Sequence, residues 1–137
     1  MAIERTLSII KPDAVQRQLV GVIISEIEMN RFDIGAIRVL RLSADQAARF
    51  YREHQGKPFY ESLVAYMSSG QLFSLVLERD QAVDEWRRLM GPTDPAKAGP
   101  LTLRRRFAID MQRNSVHGAD SPATAAREID FFFGEGA

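Results

Sequence analysis

The feature of this sequence that most constrains its fold is an alternation of short strand-like segments with helical segments. Residues 5–10 favour a strand, and Lys11-Pro12-Asp13 ends it, because proline cannot donate to a ladder and suits the first turn of a helix. Residues 20–31 carry apolar side chains at helical spacing, and residues 32–42 again favour a strand. This order is typical of one antiparallel sheet with helices packed on it, an α+β sandwich.

The alternation continues to the end of the chain. The sequence predicts a helix from the capping box at residues 43–46, a helix over residues 59–67, a strand around residues 73–77, a helix from a cap at Asp80 to about residue 90, and a final helix from Ser121-Pro122 to residue 133. Within the strand, apolar Phe73, Leu75 and Leu77 alternate with polar Ser74 and Glu78.

Residues 91–113 interrupt this pattern. The segment holds three prolines and then an arginine-rich turn, so we expect it to have little regular structure. So long a connection is usually functional or disordered. A short strand is expected to follow at residues 115–117.

The composition excludes several classes of protein. Residues 1–137 have the length of one domain, and no apolar run approaches the roughly 20 residues that span a bilayer. The chain has no cysteine, which excludes disulfides and thiolate metal sites and permits a cytoplasmic location. The formal net charge is zero, so a specific nucleic-acid partner is not expected.

His117 is the first candidate for chemistry, since it is expected at the end of a short strand and precedes Gly118. Imidazole is a nucleophile near neutral pH if one ring nitrogen is held so that the other presents its lone pair. Glu128, on the last helix, is the candidate for holding it. The alternatives are a structural histidine and a solvated helix carboxylate.

Cations elsewhere suggest an anion site. Lys11, Arg87 and Arg104, with the Thr93 hydroxyl, would clamp phosphate if they converged; otherwise they are ordinary surface groups. Phe59 and Tyr51 are candidates for an aromatic wall, and the alternative is that both lie in the core.

Two sequence motifs indicate that these candidate residues belong to one kind of active site. Residues 4–13, Glu-Arg-Thr-Leu-Ser-Ile-Ile-Lys-Pro-Asp, and residues 114–121, Asn-Ser-Val-His-Gly-Ala-Asp-Ser, resemble the opening and the active-site signature N-x-x-H-G-S-D-S of nucleoside diphosphate kinases. Shorter motifs between them keep the family order, so the resemblance covers essentially the whole chain. It implies a ferredoxin-like βαββαβ sandwich with a four-stranded antiparallel sheet.

The resemblance implies reversible ping-pong transfer of the γ-phosphoryl group from a nucleoside triphosphate, typically ATP, to a nucleoside diphosphate of any base. His117 then resembles the phosphorylated nucleophile, and Glu128 the carboxylate that fixes it, with Tyr51 nearby. Lys11 resembles the lysine that reaches phosphate and the ribose 3′-hydroxyl, and Asn114 resembles its partner there.

The remaining implied contacts concern the nucleotide. The residues that resemble phosphate ligands are Arg87, Thr93 and Arg104, and those that resemble base contacts are Phe59, Met111 and Leu63. Asp120 resembles the acid near the water shell of Mg²⁺, the implied cofactor, and no direct protein ligand to the metal is expected.

The resemblance also implies a homo-oligomer built from dimers, either a tetramer or a hexamer, although the short C-terminus leaves a dimer possible. Two positions depart from the family pattern. Ala119 replaces a serine, which removes a hydroxyl near Glu128 and about 1 kcal/mol of hydrogen bonding. Leu101 replaces a glycine, so the loop geometry there is expected to change.

Two other functions fit the sequence less well. One is an inactive relative that acts as a binding or regulatory partner, against which the intact candidate residues weigh. The other is an RNA-binding ferredoxin-like module, which would need exposed aromatic side chains on central strands and a basic sheet face.

Overall fold

A computed structural model describes residues 3–134 of the chain. Its elements are β1 (Glu4–Ile10), α1 (Pro12–Gln16), α2 (Val20–Met29), β2 (Asp33–Leu40), α3 (Ala44–Phe50), α4 (Tyr60–Met67), β3 (Leu72–Arg79), α5 (Ala82–Met90), α6 (Leu103–Phe107), β4 (Val116–Gly118) and α7 (Pro122–Phe133), with single 3-10 turns at Arg52–His54 and Pro95–Lys97. No helix in this described part is long and apolar enough to cross a bilayer.

The four strands form one antiparallel sheet in the order β2-β3-β1-β4. Helix α2 connects β1 to β2, and α5 lies between β3 and β4, which gives the connectivity βαββαβ. The predicted ferredoxin-like sandwich is therefore confirmed.

Helices cover both faces of the sheet, and each face has its own core. Side chains of α2 and α5, such as Ile27 and Trp86, pack with Leu75 and Leu77 on one face. Side chains of α3, α4 and α7 pack with Leu7, Ile9 and Leu72 on the other. The RNA-binding alternative needs an open sheet face, which this arrangement does not provide.

Because helices pack on both faces of the sheet, β3 is more buried than its sequence pattern suggested. The sequence alternation suggested one apolar and one polar face, but Ser74 is fully buried together with Leu75 and Val76. The strand is central and packed on both sides, so only Phe73 near its start and Glu78 and Arg79 at its end are partly exposed.

Two helix starts show how local and long-range caps differ. The capping box at α3 is confirmed, since Gln46 N–H donates to Ser43 Oγ at 3.1 Å and Ser43 N–H donates to Gln46 Oε1 at 2.8 Å. The predicted Asp80 cap of α5 is wrong. Gln81, at φ 52°, precedes the helix, and the Val83 N–H is satisfied by Glu4 Oε1 at 2.8 Å.

The segment 91–113 is more ordered than predicted. It contains α6, which Thr102 caps by accepting from Arg105 N–H at 3.3 Å, and Leu103 anchors that helix in the core with no exposed surface. Two other boundaries are shorter than expected. Helix α2 ends at Met29 because Arg31 has φ 68°, and β2 ends at Leu40 rather than at residue 42.

Candidate active site

His117 lies on β4, where the sheet and α5 fix its backbone. It pairs with Ile9 of β1, and its carbonyl accepts a hydrogen bond from Trp86 Nε1 at 3.1 Å. A Cβ on Gly118 would lie 2.5 Å from Trp86 Cδ1, so only glycine allows this close approach. The histidine is therefore held by main-chain contacts on two sides.

The side chain of His117 is oriented by Glu128, as the sequence suggested. Nε2 lies 3.0 Å and 3.2 Å from the two carboxylate oxygens of Glu128, whose side chain is 4% exposed. A carboxylate accepts, so Nε2 carries the proton and Nδ1 keeps its lone pair. Within residues 3–134, Nδ1 has no hydrogen-bond partner.

Aromatic rings surround the imidazole. Phe50 and Tyr51 present edges to it, with ring centroids 5.4 Å and 6.0 Å away. The Tyr51 hydroxyl is buried and has no partner in the described part of the chain. Burial, together with the negative charge of Glu128, raises the pKa of Tyr51, so it remains a neutral donor.

Lys11 lies at the end of β1 and is only 6% exposed. Its Nζ donates to Asn114 Oδ1 at 2.8 Å and to the Gln112 carbonyl at 3.3 Å. Burial, and next the charge of Arg104, lower the pKa of Lys11 to about 7, against the opposing effects of Asp13 and Asp110. The amine therefore lacks a strong counter-charge of its own.

Asn114 connects Lys11 to two loops. Its Nδ2 donates to the Met111 carbonyl at 2.9 Å and to the Thr93 carbonyl at 3.3 Å. One buried amide thus ties the lysine to the segment that carries Thr93.

The predicted phosphate ligands Arg87, Thr93 and Arg104 line one pocket of about 430 Å³. Arg104 is 8% exposed and donates to the carbonyls of Gly91 and Val116, both at 2.9 Å, while its Nε has no partner among residues 3–134. Burial, and next the charge of Arg87, lower the pKa of Arg104 to about 10. The pocket thus holds cationic charge that the protein does not neutralise.

Sequence reasoning missed several contributors. Arg88, Thr102 and Asp84 also line the pocket, and Trp86 supports the histidine from beneath. The Arg88 side chain on α5 is largely exposed, and nothing in the surrounding sequence indicates that it lies beside a pocket.

The predicted base contacts lie at the outer end of the site. Phe59 precedes α4 and is 45% exposed, and Met111 is 60% exposed. Gln112 Nε2 donates to Ser62 Oγ at 3.1 Å, which joins the first turn of α4 to the loop that carries Met111. Leu63 is buried and belongs to the core beneath.

The structure also shows the surroundings of the two positions that depart from the family pattern and of Asp120. Ala119 is 1% exposed and packs with Val83 and Ala125, so an apolar contact replaces the hydroxyl expected there. Leu101 is 84% exposed and is not among the described residues with positive φ, so this position does not need glycine. Asp120 is exposed, and its carbonyl lies 3.5 Å from Arg87 Nη1.

Comparisons with known proteins point to one family. The nucleoside diphosphate kinase model matches residues 4–137. The chain is 53% identical to the nucleoside diphosphate kinase of Pasteurella multocida over 135 residues (98% of this chain and 97% of that protein). It is 49% identical to that of Hydrogenovibrio crunogenus over 133 residues (97% and 94%).

Solved structures agree. The nucleoside diphosphate kinase of Aquifex aeolicus superposes with a TM-score of 0.93 at 38% identity, over 96% of each chain. The halophilic enzyme of Halobacterium salinarum, in complex with CDP, gives 0.93 at 36% identity, over 96% of this chain and 88% of that one.

The lowered pKa of Lys11 predicts a pH-dependent stability. Below about pH 7 the lysine is protonated in both states, and its burial destabilises the fold fully. Between its folded pKa of about 7 and its unfolded value of 10.5, only the unfolded chain keeps the proton, so the free energy of unfolding rises with pH. Urea titrations between about pH 7 and pH 9 measure this rise.

Lys11→Met should flatten that rise, whereas Lys97→Met, which removes an exposed lysine, should preserve it. The pKa values of Tyr51 and Tyr66 are raised, so neither group titrates in this window. An equal rise in the Lys11→Met variant and in the parent protein would contradict the assignment.

Proposed function

Because the chain belongs to the nucleoside diphosphate kinase family, whose members transfer phosphoryl groups between nucleotides, we propose that His117 carries the phosphoryl group in that transfer. The observation that carries this proposal is the contact of Nε2 with both oxygens of Glu128, which leaves Nδ1 free. An imidazole held in this way is a prepared nucleophile.

The transfer proceeds in two half-reactions. Nδ1 of His117 attacks the γ-phosphorus, the Nδ1–P bond forms, and the bond from that phosphorus to the β–γ bridging oxygen breaks. The diphosphate leaves with the electron pair of that bond. The ring gains positive charge as Nδ1 gives its lone pair, and the Glu128 carboxylate stabilises it through the Nε2 proton. A terminal oxygen of a second diphosphate then takes the group back.

The cationic pocket stabilises the transferring group. Negative charge spreads over the equatorial oxygens of the phosphoryl group in the transition state. Lys11 and Arg104 are buried basic groups that form no ion pair with a carboxylate within residues 3–134, and Arg87 lines the same pocket as Arg104. A bound phosphate would favour the protonated form of Lys11. The unpartnered Tyr51 hydroxyl, at the edge of the imidazole, supplies a further donor. These groups are fixed before the nucleotide arrives, which is the arrangement that favours the transition state.

Magnesium is the proposed cofactor. Residues 3–134 contain no group of three or more histidine or carboxylate side chains that could hold a metal ion, so the ion would be carried mainly by nucleotide phosphates. Asp120, exposed beside Arg87, would hold it through water. When bound, Mg²⁺ supplies neutralisation of the phosphate charge.

We place the ribose 3′-hydroxyl against Lys11 and Asn114, which already contact each other, and the base between Phe59 and Met111. Residues 1–137 act as one domain, which the family match over residues 4–137 supports. The cytoplasm is the proposed compartment.

His117→Ala should abolish phosphorylation of the protein by γ-labelled ATP, because no other group in the site is oriented as a nucleophile. The parent protein should carry label that is lost in acid and kept in base, as expected for a phosphoramidate on histidine. His54→Ala is the matched control, since His54 lies in a 3-10 turn beside Lys57 and should leave the label intact. Retained label in the His117→Ala variant would refute the proposed nucleophile.

Stacking on Phe59 predicts similar use of all bases, because every base has a π-face and stacking reads no hydrogen-bond pattern. Turnover of purine and pyrimidine diphosphates should be comparable, and more than about a thousandfold preference for one base would sink this prediction. Phe59→Ala should raise KM for every acceptor by about tenfold, while Phe59→Tyr keeps the ring and should leave KM nearly unchanged.

A homo-oligomer built from dimers is the proposed assembly. Strand β2 lies at an edge of the sheet, and its Ile37 and Val39 are 47% and 48% exposed. An apolar edge strand of this kind normally requires cover. Light scattering should give the mass of two, four or six chains, and Val39→Lys should shift it to a smaller species. A parent protein that is monomeric at micromolar concentration would contradict the proposal.

A further inference from the structure

Asp13 lies two residues beyond Lys11 and has no role in the mechanism above, yet it is almost fully buried. Its carboxylate accepts from Arg17 Nη2 at 2.9 Å and from the Tyr66 hydroxyl, which in turn accepts from the Asp13 N–H at 3.1 Å. It also accepts hydrogen bonds from the Ser115 N–H and from the Ser115 hydroxyl, each at 3.4 Å. A carboxylate with this many donors is built for precise placement.

The group that Asp13 holds is a strained turn. Ser115 is fully buried and has φ 76°, a region that residues other than glycine rarely adopt. Val116 N–H donates to the Asn114 carbonyl at 2.9 Å across it, which closes a γ-turn. Such a turn persists only when its surroundings determine it.

This turn sets the relative position of the reacting groups. Asn114, on one side, accepts from Lys11 Nζ, and His117 directly follows the turn on the other side. The Ser115 carbonyl accepts from the Lys11 N–H at 2.8 Å, so the lysine and the turn also share a main-chain bond. A change in the turn would therefore shift Asn114 and His117 with respect to Lys11.

Two elements support the carboxylate from outside. Arg17 Nη2 also donates to the Phe107 carbonyl at 2.5 Å and to Ser115 Oγ at 3.3 Å, which joins α1 to the end of α6. Tyr66 brings in α4, the helix that follows Phe59. Helices α1 and α4 thus meet at the carboxylate, and Arg17 connects it to the end of α6.

We infer that Asp13 is a positioning residue for phosphoryl transfer, which acts by holding the Ser115 turn in the conformation that aligns His117 with Lys11 and Asn114. The inference rests on the proposed role of His117. Asp13 does not line the pocket that holds Arg87 and Arg104, so it acts on the reacting groups indirectly. A small misplacement of reacting groups is enough to slow a reaction strongly.

The test measures the rate at which His117 is labelled by γ-labelled ATP, together with KM and the melting temperature. Asp13→Asn should slow labelling about 100-fold and change KM by less than about threefold, because the turn does not contact Phe59 or Arg87. Adding Ser115→Gly to Asp13→Asn should recover at least about tenfold of the rate, since glycine adopts positive φ without help. A purely structural role would lower the melting temperature without such a rescue.

A second pair of variants, with smaller changes, tests the inference if Asp13→Asn does not fold. Tyr66→Phe removes only the hydroxyl that meets Asp13, and it should slow labelling about tenfold. Tyr60→Phe, on the same helix, removes a hydrogen bond to the Ala48 carbonyl (3.1 Å) and should leave the rate unchanged. Equal rates for these two variants, or a folded Asp13→Asn with the parent rate, would overturn the inference. Absence of label in the parent protein would instead overturn the proposed function and this inference with it.

Discussion

Three paired positions between β1 and β4 hold the site together. They set Ile9 opposite His117, and they bring the end of β1, where Lys11 follows, beside the strand that carries this histidine. The start of β1 contributes as well, because Glu4 satisfies the first turn of α5, the helix that carries Arg87. One central strand therefore fixes His117, Lys11 and the helix of Arg87 relative to one another.

The electrostatics of the site oppose folding and favour binding. Lys11 and Arg104 are both buried, and burial lowers the pKa of each, so the charged form of each side chain is costly in the free protein. Their main contacts are with carbonyl and amide oxygens rather than with carboxylates. A polyphosphate would supply the missing negative charge, so the same feature that lowers stability prepares the pocket for its substrate.

The sequence predicted what depends on local pattern. Strand and helix periodicity predicted an α+β sandwich, and the resemblance of two motifs implied its ferredoxin-like form, which the structure has. The second motif singled out His117, and in the structure this histidine contacts Glu128. The errors occurred where a distant residue decides the local structure. The cap of α5 comes from Glu4, far away in the chain, and α6 forms in a proline-rich segment because Leu103 is buried by the rest of the fold. No local signal carries that information.

Trp86 is the single tryptophan of the chain, and its indole N–H donates to the carbonyl of His117. All tryptophan fluorescence of the protein therefore originates one hydrogen bond away from the main chain of His117, the proposed nucleophile. The indole is fully buried against Phe32, with ring centroids 6.1 Å apart, so its emission reports a dry environment. The molecule thus contains an intrinsic optical probe beside the strand of His117, which needs no dye or engineered label.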